Sequence, residues 1–255
     1  MIGRILTALL LFWSCVSTSQ AAVTVSGQVR TPGPIALPPD ARLLDAIIPS
    51  QPDAQGYWLG AAWLHQPLLE RQARLKAGVL FDLQTLHQAA LAEGLEGRAH
   101  SAERLYRQVQ PLPVTGRQVA VLDPVAVEVG FAPNLPLSDG DRLVYPPRPT
   151  QVRVVGAVAA ACSLAFEPLR AARDYLTACP PLMEADADYL WVIQPDGKVS
   201  RLGIAPWNRE EGAPPAPGAT LLVPIRSDDL SAPTPDLNQQ LAEFLATQPL
   251  AEVTP

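Results

Sequence analysis

Apolar and polar positions along this chain change period several times, and each change predicts an element. Val25-Ser26-Gly27-Gln28-Val29 reads as a strand, a second strand runs through Ile35 and Leu37, and a short amphipathic helix follows with Asp45 and Ile47. Between the strands, Thr31-Pro32-Gly33-Pro34 predicts a turn. Pro32 presets φ at its second position and Gly33 tolerates the positive φ of its third. Further on, Leu68, Leu75, Val79, Leu83 and Leu86 fall at steps of seven, four, four and three, one apolar stripe on a long helix. Gly94-Leu95-Glu96-Gly97 breaks it, and Ser101 is a candidate cap for a second helix carrying Leu105 and Val109. Near the end, Thr234-Pro235 predicts the start of a last helix with Leu237, Leu241, Phe244 and Leu245 on one face. At about 1.5 Å per residue that helix reaches roughly 17 Å, too short for a bilayer core of about 30 Å. It is expected to be a docking or interfacial element.

The pattern repeats. At an offset of 129 residues, Val25 to Val29 align with Val154-Val155-Gly156-Ala157-Val158, Ile35 with Leu164, Leu37 with Phe166, Asp45 with Asp174 and Ile47 with Leu176. Each copy then carries a hairpin and a closing strand. In the second copy the hairpin is Tyr189–Ile193 and Lys198–Leu202 around Pro195-Asp196-Gly197; in the first it is expected at Gln118–Leu122 and Val125–Val129 around Asp123-Pro124. The closing strands are Leu143-Val144-Tyr145 and Leu221-Leu222-Val223. Two strands, a helix and about three more strands is a β-grasp order. The expected fold is therefore α+β: two tandem β-grasp domains, residues 22–149 and 150–228, the first with a helical insert over 53–109, then a linker and amphipathic helix over 229–255.

The N-terminus adds a destination. Arg4 precedes a mostly apolar run from Ile5 to Trp13, and small residues lead to Ser19-Gln20-Ala21-Ala22. That is the layout of a secretory signal peptide over residues 1–21, so a periplasmic protein is expected. Cys15 after Ser14 leaves a lipoprotein as the alternative, disfavoured by Trp13. Export leaves Cys162 and Cys179 as an even pair, either a disulfide or two buried thiols. No histidine pair stands at ligand spacing beside them, so no metal and no cofactor are expected. The 28 prolines disfavour a helical bundle. A net charge of −6 gives no footprint for nucleic acid.

The paired V-x-G-x-V starts and the Gly140-Asp141-Arg142-Leu143-Val144-Tyr145-Pro146 ending resemble the soluble-ligand-binding β-grasp repeats of outer-membrane polysaccharide export proteins. The insert opening with Tyr57-Trp58, then Val114-Thr115-Gly116-Arg117 leading to Leu122-Asp123-Pro124, and a last helix opening Asp236-Leu237-Asn238 resemble more narrowly the capsule biosynthesis GfcC-like family. The resemblance covers nearly all of the chain beyond the leader. It implies a periplasmic accessory protein in making or exporting capsular or extracellular polysaccharide, with export and assembly proteins or the polymer itself as partners. Cys162 departs from the pattern, standing where the first copy has the turn glycine.

Candidate chemistry is sparse. No phosphate-cradling glycine loop, nucleophile elbow or His-Glu-x-x-His occurs. His65, His87 and His100 lack an evident acidic partner in sequence, and the alternating Glu184, Asp186 and Asp188 lack the rest of a calcium loop. Arg117 matches the family's Gly-Arg pair. It is a candidate for holding an acidic sugar or a carboxylate by paired hydrogen bonds, or for an internal salt bridge fixing the insert to the domain. Tyr57, Trp58 and Trp63 form either an aromatic platform for sugar rings or the core under the insert. Three roles stay open: a non-enzymatic accessory protein, monomeric or a small oligomer, with Leu237, Leu241, Phe244 and Leu245 presented to a partner; a glycan-binding module using Arg117, Tyr57 and Trp58; or an enzyme on the polymer. An export-channel subunit is a further alternative, and it would have to be a high-order ring.

Overall fold

The computed structural model describes residues 21–54, 56–226 and 234–250. Cys15 and the apolar run of the expected leader lie outside those residues. Two five-stranded mixed sheets succeed each other along the chain. In the first, β1 (Ala21–Gly27) pairs antiparallel with β2 (Gly33–Leu37) and parallel with β5 (Arg142–Tyr145). The helix α1 (Leu43–Ser50) crosses between β2 and β3 (Ala62–Leu64), and the order is β2-β1-β5-β3-β4, with β4 at Arg117–Gln118. The second sheet repeats it as β7-β6-β10-β8-β9, from β6 (Gln151–Gly156), β7 (Cys162–Ala165), β8 (Tyr189–Ile193), β9 (Val199–Gly203) and β10 (Thr220–Val223). A 3-10 helix, Ala172–Thr177, stands where the first copy has α1. This is the tandem β-grasp arrangement expected from the repeat.

The repeat has a steric reason at its glycines. Gly27 and Gly156 end the first strand of each copy with φ of +92° and +107°. A Cβ on either would sit 2.0 Å from the Tyr145 carbonyl oxygen or 2.1 Å from that of Val223, on the parallel neighbour strand. Only glycine fits. The same offset relates the isolated bridges Val29–Pro52 and Val158–Pro181. It also relates Gly33 and Ser50 to Cys162 and Cys179, which form a disulfide with Cα atoms 6.2 Å apart. In the first copy, backbone bonds from Thr31 to Ser50 and from Arg30 to Gln51, both 3.1 Å, hold the corresponding loop. The second copy uses a covalent tie instead.

Two expectations about the first copy are corrected. The insert does not lie ahead of the hairpin but inside it: β3 precedes the helices and pairs antiparallel with β4 after them. Val125–Val129 is not a strand, since Pro124–Glu128 is helix α4. Asp123 Oδ1 accepts from the backbone N–H groups of Val125 (2.9 Å) and Ala126 (3.3 Å), and Pro124 takes the first helical position. Acid followed by proline is a helix start as well as a turn, and here the helix won.

The insert is the helical pair α2 (Leu69–Ala92) and α3 (Glu96–Val109), with Gly94 at φ +72° between them. Ser101 is interior to α3 rather than its cap, and its buried hydroxyl donates to Glu184 at 2.7 Å. The stripe Val79, Leu83 and Leu86, with Leu105 and Val109, packs into one core with the second sheet and the last helix, α5 (Leu237–Ala246). The first sheet keeps a separate core around Val23, Val25, Ile47, Trp63 and Tyr145. The partner-facing reading of α5 is corrected here. Leu237, Leu241 and Phe244 are buried in this chain's own core and Leu245 packs against it, so that face is already occupied. Helix α5 starts later than expected, with Asp236 at the N-cap, and Asn238 brackets Ile225 by two hydrogen bonds of 2.7 and 3.1 Å.

Candidate functional site

The segment Val114-Thr115-Gly116-Arg117 sits where the insert returns to the first sheet. Gly116 has φ +71° and passes so close to His65 that a Cβ would lie 2.7 Å from its carbonyl oxygen. Gln72 on α2 holds both sides of this entry, accepting from the Gly116 N–H at 2.8 Å and donating to the Arg117 carbonyl at 2.9 Å. The next side chains reach α5, whose last carbonyls have no partner within the helix. Thr115 Oγ1 donates to the Thr247 carbonyl at 2.7 Å. Arg117, 5% exposed, donates to the carbonyls of Ala246 (3.3 Å), Gln248 (3.1 Å) and, across the second hairpin turn, Pro195. A cation at a helix C-terminus is favoured by the helix dipole. Burial still pushes the guanidinium pKa down to about 10, with Asp196 nearby opposing the shift.

Arg117 is thus a clamp joining the first sheet, the β8–β9 turn and the end of α5. Its hydrogen-bond partners are backbone carbonyls rather than the carboxylate of the expected internal salt bridge. Nor does the structure gather Arg117, Tyr57 and Trp58 in one cavity. Arg117 borders two depressions, one beside Gln194 and Pro195 and the other beside Gly197 and Val199. Tyr57 and Trp58 line a third, of about 500 Å³, together with Arg148, Asp196 and Lys198. Tyr57 is buried, its hydroxyl donates to the Pro217 carbonyl at 2.8 Å, and burial pushes its pKa up to about 12. Trp58 is half-buried, its Nε1 donating to the Asp53 carbonyl at 3.2 Å. Trp58 also packs against the first core, in which Trp63 is fully included, with Trp63 Nε1 donating to Asp141 at 2.8 Å.

Sequence reasoning missed the partner of His65. Its Nδ1 lies 2.9 Å from the fully buried carboxylate of Asp141, which also accepts from Trp63, the Gln66 N–H and the Ser138 N–H. That is a staple between β3 and the approach to β5. His87 Nδ1 contacts the Ala99 carbonyl at 2.9 Å, linking α2 to α3. The alternating acids face separate tasks. Glu184 accepts from Ser101, Asp186 from the Asp188 and Tyr189 N–H groups, and Asp188 from Trp207 Nε1 at 3.3 Å. Arg148, Asp196 and Lys198 were missed as well. The first lies in the Pro146-Pro147-Arg148-Pro149 connector, Asp196 read only as part of a turn, and Lys198 read as the opening of a hairpin strand.

Residues 19–147 match the capsule biosynthesis GfcC N-terminal family, and residues 160–249 match its C-terminal family. The chain belongs to the capsule biosynthesis GfcC family. It is also 31% identical over 207 residues to the uncharacterized protein YjbG of Escherichia coli (strain K12), covering 80% of each chain. The first family segment spans β1 to β5 and the second spans β7 to β10 and α5, with β6 between the two, and membership assigns the chain to capsule or extracellular polysaccharide biosynthesis or export. In this member the Gly116-Arg117 pair has the clamp geometry just described.

Proposed function

We propose that this chain is a non-enzymatic accessory protein of capsule or extracellular polysaccharide assembly, exported to the periplasm and acting by binding. The observation that carries the reading is the match to both halves of the family on one chain. The signal-like leader supports export, and the Cys162–Cys179 disulfide suits an oxidising compartment. The polar groups that first drew interest, Arg117, His65 with Asp141, and Glu184, are spent on holding elements together, which suits a scaffold better than a reaction centre.

Chromosomal deletion with complementation tests it. Loss of surface polysaccharide, restored by the intact gene but not by one lacking residues 1–21, is the expected result. Release of new reducing ends from the purified host polymer by the purified protein would replace the accessory reading with an enzymatic one. Recovery of the protein in the cytoplasmic fraction with its N-terminus intact would overturn the export reading.

A further inference from the structure

We infer that the cleft between the two sheets, walled by Trp58, Leu59, Val121, Arg148, Asp196 and Lys198, is a binding site for a short saccharide segment. This rests on the polysaccharide role proposed above and names the contact that the role would use. The cleft holds about 500 Å³, in the range of small-ligand sites, and such sites favour junctions between domains. Its walls come from five separate stretches: the turn after α1, the run following β4, the connector between the sheets, the β8–β9 turn and Ala216-Pro217 ahead of β10. They are held in place before any ligand arrives. Tyr57 is tied to Pro217 and Trp58 to Asp53, while Lys198 Nζ pairs with Asp196 at 2.9 Å.

The lining chooses among ligand classes. Leu59 and Val121 are each 44% exposed, apolar side chains left wet beside a well-packed protein. An anion site would need an excess of cations, yet Arg148 and Lys198 are balanced by Asp123 and Asp196. A purely aliphatic ligand would not suit four charged neighbours. A sugar ring meets all of these features: one face is C–H and apolar, and its hydroxyls both donate and accept. Arg148 is the donor best placed to serve. Its guanidinium sits 5.3 Å from the centre of the Tyr57 ring, and among the described residues it has no carboxylate partner.

The test uses the full-length protein and oligosaccharides released by mild acid from the host's own extracellular polysaccharide, titrated calorimetrically and mapped by hydrogen exchange. Saturable binding is expected, with protection confined to residues 56–59, 120–123, 148, 196–198 and 216. Trp58→Ala should weaken it at least about tenfold, the loss of one aromatic contact of about 1.4 kcal/mol. Val121→Glu, at an exposed position that leaves the core intact, should abolish it, and Phe131→Ser, 91% exposed and not among the residues lining the cleft, should leave it unchanged. If Trp58→Ala fails to fold, Val121→Glu decides alone. Wild-type affinity in Val121→Glu, or no binding by the wild type while deletion still removes surface polymer, overturns the site and leaves the accessory role standing.

Discussion

Replacing Arg117 with alanine separates a structural clamp from a ligand-binding arginine. The side chain donates to three backbone carbonyls, and hydrogen bonds to charged groups contribute about 1.5–3 kcal/mol each, so the gross loss is roughly 5–9 kcal/mol. Against this stands the cost of burying the cation. The pKa falls to about 10 from 12.5, and at about 1.4 kcal/mol per pH unit that is roughly 3 kcal/mol, relieved in the variant. The net destabilisation is about 2–6 kcal/mol. For a protein of this size each kcal/mol shifts the melting temperature by roughly 2–4 °C, so thermal unfolding should move down by about 4–24 °C. Hydrogen exchange should quicken at residues 195–197 and 244–248 but not in β1 or β2. Arg117→Lys, a point charge without the planar fork, should recover only part of the loss. An unchanged melting temperature and exchange pattern, with glycan binding abolished, would refute the clamp and restore Arg117 as a ligand residue.

Three further outcomes are expected. Tyr57 has its folded pKa raised from 10.0 to about 12, so its contribution is fully present below pH 10 and is lost as pH climbs towards 12, about 3 kcal/mol in all. Urea unfolding between pH 8 and 12 should show this decline, and Tyr57→Phe should make it shallower, leaving the share due to buried Tyr145, while costing about 1 kcal/mol at neutral pH from the lost bond to Pro217. Replacing Cys162 and Cys179 together with serine opens a loop of sequence separation 17 and should lower stability by roughly 3 kcal/mol; a denaturation midpoint insensitive to the change would show that the bridge does not form. Phe244→Ala should cost about 3–5 kcal/mol by calorimetry, because Phe244 is fully buried, whereas a face held open for a partner would lose almost nothing.

Much of the fold was legible because it rests on short-range rules. The V-x-G-x-V starts exposed the duplication, since the glycine answers to a carbonyl on the neighbouring strand in both copies. The stripe on α2 and the break at Gly94 followed from helical spacing. Asp123-Pro124 failed because turn and helix start share a signature, and only the short reach of β4 decides between them. The insert was misplaced by one strand, because three residues, Ala62-Trp63-Leu64, are too few to show a period. The fate of α5 was hidden for another reason: an amphipathic helix shows that it has a partner, never which one. Among site residues, the motif drew attention to Arg117, but its three carbonyl partners lie 78 or more positions away and leave no local trace.

The helical insert has a consequence for how the chain is made. Its apolar side chains emerge from the ribosome well before β6 to β10, the strands against which they pack. The first sheet can close early around its own core, yet the arm projecting from its hairpin stays greasy until the last helix has been synthesised. That interval is when the nascent chain is most prone to sticking to its neighbours, and a chaperone would find its binding surface there. Severing the connector near residue 149 in two expressed fragments should give an aggregating first half and an under-filled second one, which recover only when mixed. The two copies have ceased to be separable parts, although each still carries the pattern of its twin.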